Sequence, residues 1–299
     1  MNLLPVLPAV IVNGLVWGGV YATIALGLNL IYGVMNILNI AHGELVMVGA
    51  FFAFWLFTLW GVNPFLSAVL ILPLMFGFGV VLQSAVVDPI SRVSRSVETL
   101  ESGSLVAFFG VLLILQNGAL SLWATDYRTV PYLAQPVQIG GATVTVSRLL
   151  ILGIAVIVPF LVHFFLSRTL LGKAIRAVSQ DREVGLLLGV NARAIGLLTF
   201  GIGAALAGMA GALVSMIYLF TPVVGLIFTV KGFTVMVLGG LGKPLGALGA
   251  GLSIGVAEAV ISFFVGEGYR DVIGYVLLVA FVLFVYFVPG VRWRREIAA

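Results

Sequence analysis

The chain has 299 residues, 62% of them hydrophobic and 9% charged, against roughly 45–50% and about 25% in an ordinary soluble domain. That composition, with a mean hydropathy of +1.22, excludes a soluble globular fold, because too little polar surface remains to cover the core, and fits a chain whose solvent is lipid. The basic excess, 15 Lys and Arg against 11 Asp and Glu, falls in short clusters between apolar stretches and so reads as an orientation signal, not a nucleic-acid footprint.

A helix that crosses a bilayer needs about 20 mostly apolar residues, and windows of that kind stand at 7–28, 40–60, 65–87, 105–123, 148–166, 194–220, 228–241, 245–265 and 272–288. The pattern predicts an all-α polytopic integral membrane protein with eight or nine transmembrane helices. The short window, 228–241, starts near Lys231 and ends in Gly239-Gly240-Leu241-Gly242-Lys243-Pro244, so it reads as a broken or re-entrant element. Only Asn2 separates Met1 from the first apolar run; the charged leader of a cleavable signal peptide is missing, and the first span is expected to stay in the mature chain.

Two connections are more than turns. Residues 124–147 carry Pro131, Pro136, Gly140-Gly141 and the β-rich run Ala142-Thr-Val-Thr-Val, which predicts a small extracytoplasmic hairpin or lid. In 167–193, helix formers follow Gly172, Ser179 is placed to cap a second short helix with Asp181 and Glu183 in its first turn, and Gly189 is placed to end it. Such a pair fits either a docking surface or an amphipathic element resting on lipid headgroups. With no low-complexity linker, residues 1–299 read as one domain, whose two similar halves suggest a weak internal repeat.

Positive loops stay cytoplasmic. If the N-terminus is outside, one side carries Arg92, Arg95, Arg168, Lys173, Arg176, Arg182, Arg193, Lys243, Arg292, Arg294 and Arg295, and the other Arg128, Arg148, Lys231 and Arg270. Eleven against four predicts an outside N-terminus and a cytoplasmic C-terminus.

Much of the glycine, 37 residues, sits inside apolar stretches. Gly14 with Gly18, Gly203 with Ala207 and Gly211, Ala204 with Gly208 and Ala212, and Gly251 with Gly255 follow the small-xxx-small spacing that lets helix backbones approach in lipid. Polar residues at depth are the exceptions worth locating. Asn36, Asn39, His42 and Glu44 predict a break between helices, with Asn39 available as a cap and the next helix pointing its N-terminus inward. They either line a translocation path or tie the break to neighbouring helices. Glu258, near the middle of its span, suits an interhelical hydrogen bond better than a proton relay, which needs several carboxylates within reach of one another.

Enzyme chemistry has little support. Neither His42 nor His163 has a second metal ligand at helical spacing, no Gly-x-Ser-x-Gly elbow occurs, and cysteine is absent. Gly242-Lys243 lacks the rest of a phosphate-binding loop, with Val237 and Pro244 where glycine and Ser or Thr are required.

Taken together, Asn13-Gly14, Ala25-Leu-Gly-Leu-Asn-Leu-Ile-Tyr-Gly33, Asn39-Ile-Ala-His-Gly-Glu44, Gly172-Lys-Ala-Ile-Arg-Ala-Val178, Leu187-Leu-Gly-Val-Asn191 and Gly239-Gly-Leu-Gly-Lys-Pro-Leu-Gly246 resemble a bacterial branched-chain amino acid ABC transporter permease of the H-subunit type. The similarity runs in order over nearly the whole chain. It implies a multi-pass subunit of the bacterial cytoplasmic (inner) membrane that works with a second permease subunit, two cytoplasmic ATPase subunits and an extracytoplasmic substrate-binding protein. ATP and Mg would be held by the ATPases, leaving this chain without a cofactor of its own. By the same resemblance, 171–191 is the ATPase-coupling element, with Gly172, Ala174, Arg176, Ala177, Asp181, Arg182, Gly189 and Asn191 as its key positions. Relatives that carry urea or short amides leave the cargo open. From the residues alone, an ion-gradient-driven secondary transporter also fits broken helices and weak repeats.

Overall fold

Apolar runs far too long for strands become helices, and the boundaries fall where Pro, Gly and capping side chains stand. The computed structural model describes residues 7–139, 142–181, 185, 187 and 189–287. In chain order these form α1 (Leu7–Met35), α2 (His42–Trp60), α3 (Pro64–Leu82), α4 (Asp88–Val93), α5 (Val97–Trp123), β1 (Pro136–Ile139), β2 (Ala142–Thr145), α6 (Val146–Arg168), α7 (Leu170–Gln180), α8 (Ala192–Val214), α9 (Gly225–Gly239), α10 (Pro244–Val265) and α11 (Arg270–Phe287). A five-residue π segment, Gln83–Val87, joins α3 to α4 in one continuous rod.

Local chemistry explains the ends. Asn63 accepts a hydrogen bond from Phe65 N with Pro64 next to it, Ser96 and Thr99 form a capping box, and Thr169 and Asn191 cap α7 and α8 through Gly172 N and Ala194 N. Gly61 closes α2 with φ of 63°, a conformation that costs glycine nothing. Among the described residues, seven helices are long and apolar enough to cross a membrane. The window expected at 228–241 is the 15-residue α9, Gly225–Gly239, at 1.5 Å per residue too short to span a hydrocarbon core of about 30 Å. The expected hairpin forms, β1 pairing antiparallel with β2, while Gly140 and Gly141 lie outside the described residues.

α1 is the axis of the molecule. It is mostly apolar on every face and buried without a break from Val16 to Ile31, and it packs against α6, α8, α9 and α10. Its contact with α10 is backbone on backbone: a Cβ at Gly14 would stand 2.7 Å from Val256 Cα, and one at Gly18 would meet the Gly251 carbonyl. α8 is as close on several sides, Gly203 against the Ile31 side chain and the Gly27 carbonyl, Gly208 against the Met75 side chain, and Gly211 against the Val46 carbonyl of α2. Gly77, Gly110 and Gly153 have nothing within 4 Å.

The two ends differ in chemistry. At one end α7 folds back on α6, and a cavity there joins His163 and Arg176 to Lys243 in the α9–α10 turn. A neighbouring cavity at the same α7 joins Val178 and Arg193 to Met35, Asp88 and Arg92. At the other end lies the 124–147 region, where Arg128 N and O pair with Phe220 O and N at 3.0 and 2.9 Å, and Val130 N donates to Ser215 O at 2.8 Å. That short ladder satisfies the buried backbone between α8 and α9, as non-helical chain inside a membrane protein requires.

Two expectations need correction. Ser179 caps no helix; it lies inside α7 and its Oγ donates to Arg176 O at 2.9 Å. Gly172, Ile175 and Val178 form one buried stripe, so tertiary contact carries the helix past the serine to Gln180. The second short helix, with Arg182 and Glu183, falls largely outside the described residues, as do Arg292, Arg294 and Arg295. Lys231, counted among the charges of the outside face, lies within α9 and is buried, so it is no orientation signal.

Gly211→Ala is expected to lower the midpoint of thermal unfolding in detergent, because the added methyl collides with backbone atoms of α2 that cannot move separately, at a cost of roughly 1–3 kcal/mol. Gly77→Ala should leave the midpoint unchanged or raise it slightly.

Candidate functional site

The break between α1 and α2 occupies residues 36–41. Asn36 ends α1 with φ of 52°, its N–H donating to Tyr32 O at 2.8 Å; asparagine is the non-glycine residue best suited to that left-handed position. It stays exposed and so stands apart from the other three. Asn39 is not the cap of α2. The N-cap is Ala41, and Asn39 contributes only its carbonyl, to His42 N at 3.3 Å. A tertiary donor-acceptor has taken over: Thr229 Oγ1 of α9 accepts from Gly43 N at 2.8 Å and donates to Ile40 O at 2.9 Å. The Asn39 side chain is fully buried with neither amide atom hydrogen-bonded.

His42 and Glu44 point to different neighbours. His42 Nε2 meets Ile24 O of α1 at 3.2 Å, in space left by Gly27. The Glu44 carboxylate lies against Gly225, at the first turn of α9, with neither oxygen hydrogen-bonded. Helix N-termini carry partial positive charge, so α9 supplies Glu44 with an electrostatic partner although no single N–H is aligned with it. Both side chains are 0% exposed.

Glu258 belongs to a separate group. On α10 it forms an ion pair with Lys231 of α9, accepts from Tyr21 OH of α1 at 3.2 Å, and has Arg270 Nε at 3.8 Å. Lys231 also stands over the rings of Tyr21 and Tyr275, at 5.5 and 5.7 Å. Gly274 of α11 leaves the room in which Glu258 and Lys231 meet, since a Cβ there would touch both. Four helices are thus tied through one buried charge pair. The pairing was hidden in the sequence because residues 27 apart on different helices have no periodic relation; the only available sign was a lysine inside an apolar window.

At the basic end, the buried stripe of α7 faces α1, α6 and α8, which turns Lys173 and Arg176 to solvent with Leu170 and Leu171. Ala174 and Ala177 are half-buried and Asp181 is exposed. Gly172 permits the fold-back, because a Cβ would run into the Phe165 carbonyl and Leu166 backbone of α6. Gly189 has φ of 78° and Leu187 beside it is exposed. Asp88 lies close by, its carboxylate paired with Arg193 at 2.7 Å and receiving Gln83 Nε2 at 3.2 Å across the π segment.

Lys231→Met is expected to destabilise the chain by roughly 3–5 kcal/mol, since it leaves the buried Glu258 carboxylate with only Tyr21 and the long Arg270 contact. Adding Glu258→Gln should restore most of the thermal unfolding midpoint, as a double-mutant cycle in detergent would read.

The family described as "Branched-chain amino acid transport system / permease component" matches residues 10–285. The high-affinity branched-chain amino acid transport system permease protein BraD of Pseudomonas aeruginosa is 35% identical over 285 residues, 92% of each chain. The LivH permease proteins of the corresponding systems of Salmonella typhimurium and Escherichia coli (strain K12) are 31% identical over 294 residues, 95% of each chain. A solved structure, PsaBC from Streptococcus pneumoniae in complex with Fab, covers 96% of this chain and 94% of its own at a TM-score of 0.48 and 12% identity, a likeness too loose to bear on function. With one family matched from the first turn of α1 to the last of α11, the chain belongs to the permease components of branched-chain amino acid transport systems.

Proposed function

We propose that the chain is one membrane-spanning subunit of an ATP-driven importer in the bacterial inner membrane, carrying a branched-chain or closely related amino acid. Its working assembly contains a second permease subunit, two cytoplasmic ATPases that hold ATP and Mg, and an extracytoplasmic binding protein. The chain itself performs no bond chemistry. It crosses nine times, the α9 crossing being completed by the non-helical residues before it, with the N-terminus outside and the C-terminus cytoplasmic. The clustering of Arg92, Arg176, Arg193 and Lys243 at one end supports that orientation.

The observation that carries the reading is the surface of α7: a short helix, anchored by one buried stripe, that presents Leu170 and Leu171 with Lys173 and Arg176 outward. Bare leucines on a basic helix suit a groove in a partner protein. Gly172, Ala174, Arg176, Ala177, Asp181, Arg182, Gly189 and Asn191 are proposed to set the fit, the small residues by close approach and the charged ones by register. Closure of the ATPases would then move α7 and, through its contacts with α1, α6 and α8, switch access between faces as a rigid-body two-state change. Asn39, His42 and Glu44, closed off by protein in this state, are proposed to line the path when the α1–α2 break opens, with Asn36 at its cytoplasmic corner and Glu258 at its opposite end.

Gly172→Val should separate α7 from α6 and weaken the coupling of ATP hydrolysis to uptake by roughly 0.5–2 kcal/mol, a factor of about 2 to 30, while the assembled complex still reaches the membrane. Uptake and hydrolysis measured together in proteoliposomes check this, and unchanged coupling would remove α7 from the mechanism.

A further inference from the structure

At the end of the molecule away from α7, a cavity of about 340 Å³ opens between α1, α6, α9 and α11, within the size range of small-ligand sites. Its floor is Tyr21, whose hydroxyl is held by the buried Glu258. Its wall holds two cations, Arg148 and Arg270. The Arg270 guanidinium carbon lies 4.5 Å from the Trp17 ring centroid, a cation–π contact. Yet its buried Nε and Nη2 make no hydrogen bond, and the Glu258 carboxylate at 3.8 Å is beyond hydrogen-bonding reach. A planar donor fork beside a cavity, with only a long ion-pair contact to Glu258 and hydrogen-bonding capacity to spare, is suited to receive a carboxylate.

The rest of the lining completes a pattern. Asn13 Oδ1 is a buried acceptor without a partner, and Glu267 stands exposed at the rim. Asn13, Glu267 and Arg270 also share an adjoining cavity of about 270 Å³, so acceptors for an ammonium group lie beside the donors for a carboxylate. Phe228 and Ile227 provide an apolar surface. We infer that this cavity is an amino acid subsite of the permease itself. It takes the zwitterion with its carboxylate on Arg270 and Arg148, its ammonium toward Asn13 and Glu267, and an uncharged apolar side chain against Phe228 and Ile227. The inference rests on the importer reading and adds a station within this chain, where cargo released outside is held above the Tyr21–Glu258–Lys231 floor.

The test uses the assembled complex in lipid nanodiscs without binding protein, with L-leucine, L-leucinamide and isovalerate as probes in ligand-observed saturation-transfer NMR. Leucine is expected to bind, and removal of its carboxylate or of its ammonium should each weaken binding by roughly tenfold or more. Arg270→Gln and Arg148→Gln should each weaken leucine binding similarly; Arg148 stands outside the Lys231–Glu258 pair, so its variant keeps the test clear of misfolding. Leucinamide binding as well as leucine in the wild type, or leucine binding unaltered in Arg148→Gln, would overturn the subsite. ATP-driven leucine uptake is measured on the same complexes. Uptake by the wild type with an unaltered KM in Arg148→Gln overturns the subsite alone, whereas no uptake by the wild type overturns the importer reading and the subsite with it.

Discussion

Lipid offers helices no hydrophobic reward for leaving it, so everything in this fold depends on how closely helix backbones can approach. Gly14 and Gly18 of α1 meet Gly251 and Gly255 of α10, and Gly49 of α2 meets the Gly208 carbonyl of α8. Contacts of that kind bring dispersion from many atoms into play at once, and they leave no space for a methyl group. α1 is therefore enclosed by α6, α8, α9 and α10, and its register against α10 fixes where each polar residue on it falls.

The same device places the polar groups. Gly27 makes room for His42, Gly225 for Glu44, and Gly274 for the Lys231–Glu258 pair. Each of these polar side chains thus faces protein, which is the arrangement a low-dielectric environment favours. α9 is common to these groups: its first turn lies against Glu44, Thr229 secures the start of α2, and Lys231 reaches Glu258. This short helix, flanked by irregular chain, thus ties two polar clusters together.

The two ends of the bundle suit different partners. One presents leucines on a basic helix, α7, beside Arg92, Arg193 and Lys243; the other presents the β1–β2 hairpin and a cavity lined by Arg148, Arg270 and aromatic rings. Between them runs α1, in contact with α7 at one end and forming the cavity wall at the other. In the proposed importer, this rod is what would carry a rigid-body change from one surface to the other.

The amino acid order by itself determined the class of the molecule, because uninterrupted apolar windows admit no other solvent than lipid, and it located a hairpin or lid within 124–147, the break before α2 and the family. It also located the small residues at which helices touch. Only the tertiary structure decided the partners. Asn39 was a reasonable cap, but Thr229, 190 residues away in sequence and adjacent in space, satisfies Gly43 instead. Ser179 was a reasonable helix start, but the buried stripe of Gly172, Ile175 and Val178 overrides a local capping preference. Lys231 counted as a cation of the outside face until Glu258 stood opposite it. Capping and periodicity act within a few residues of chain, whereas a buried charge or an orphan N–H is satisfied by whatever the packing brings near, and packing is a property of all the helices together.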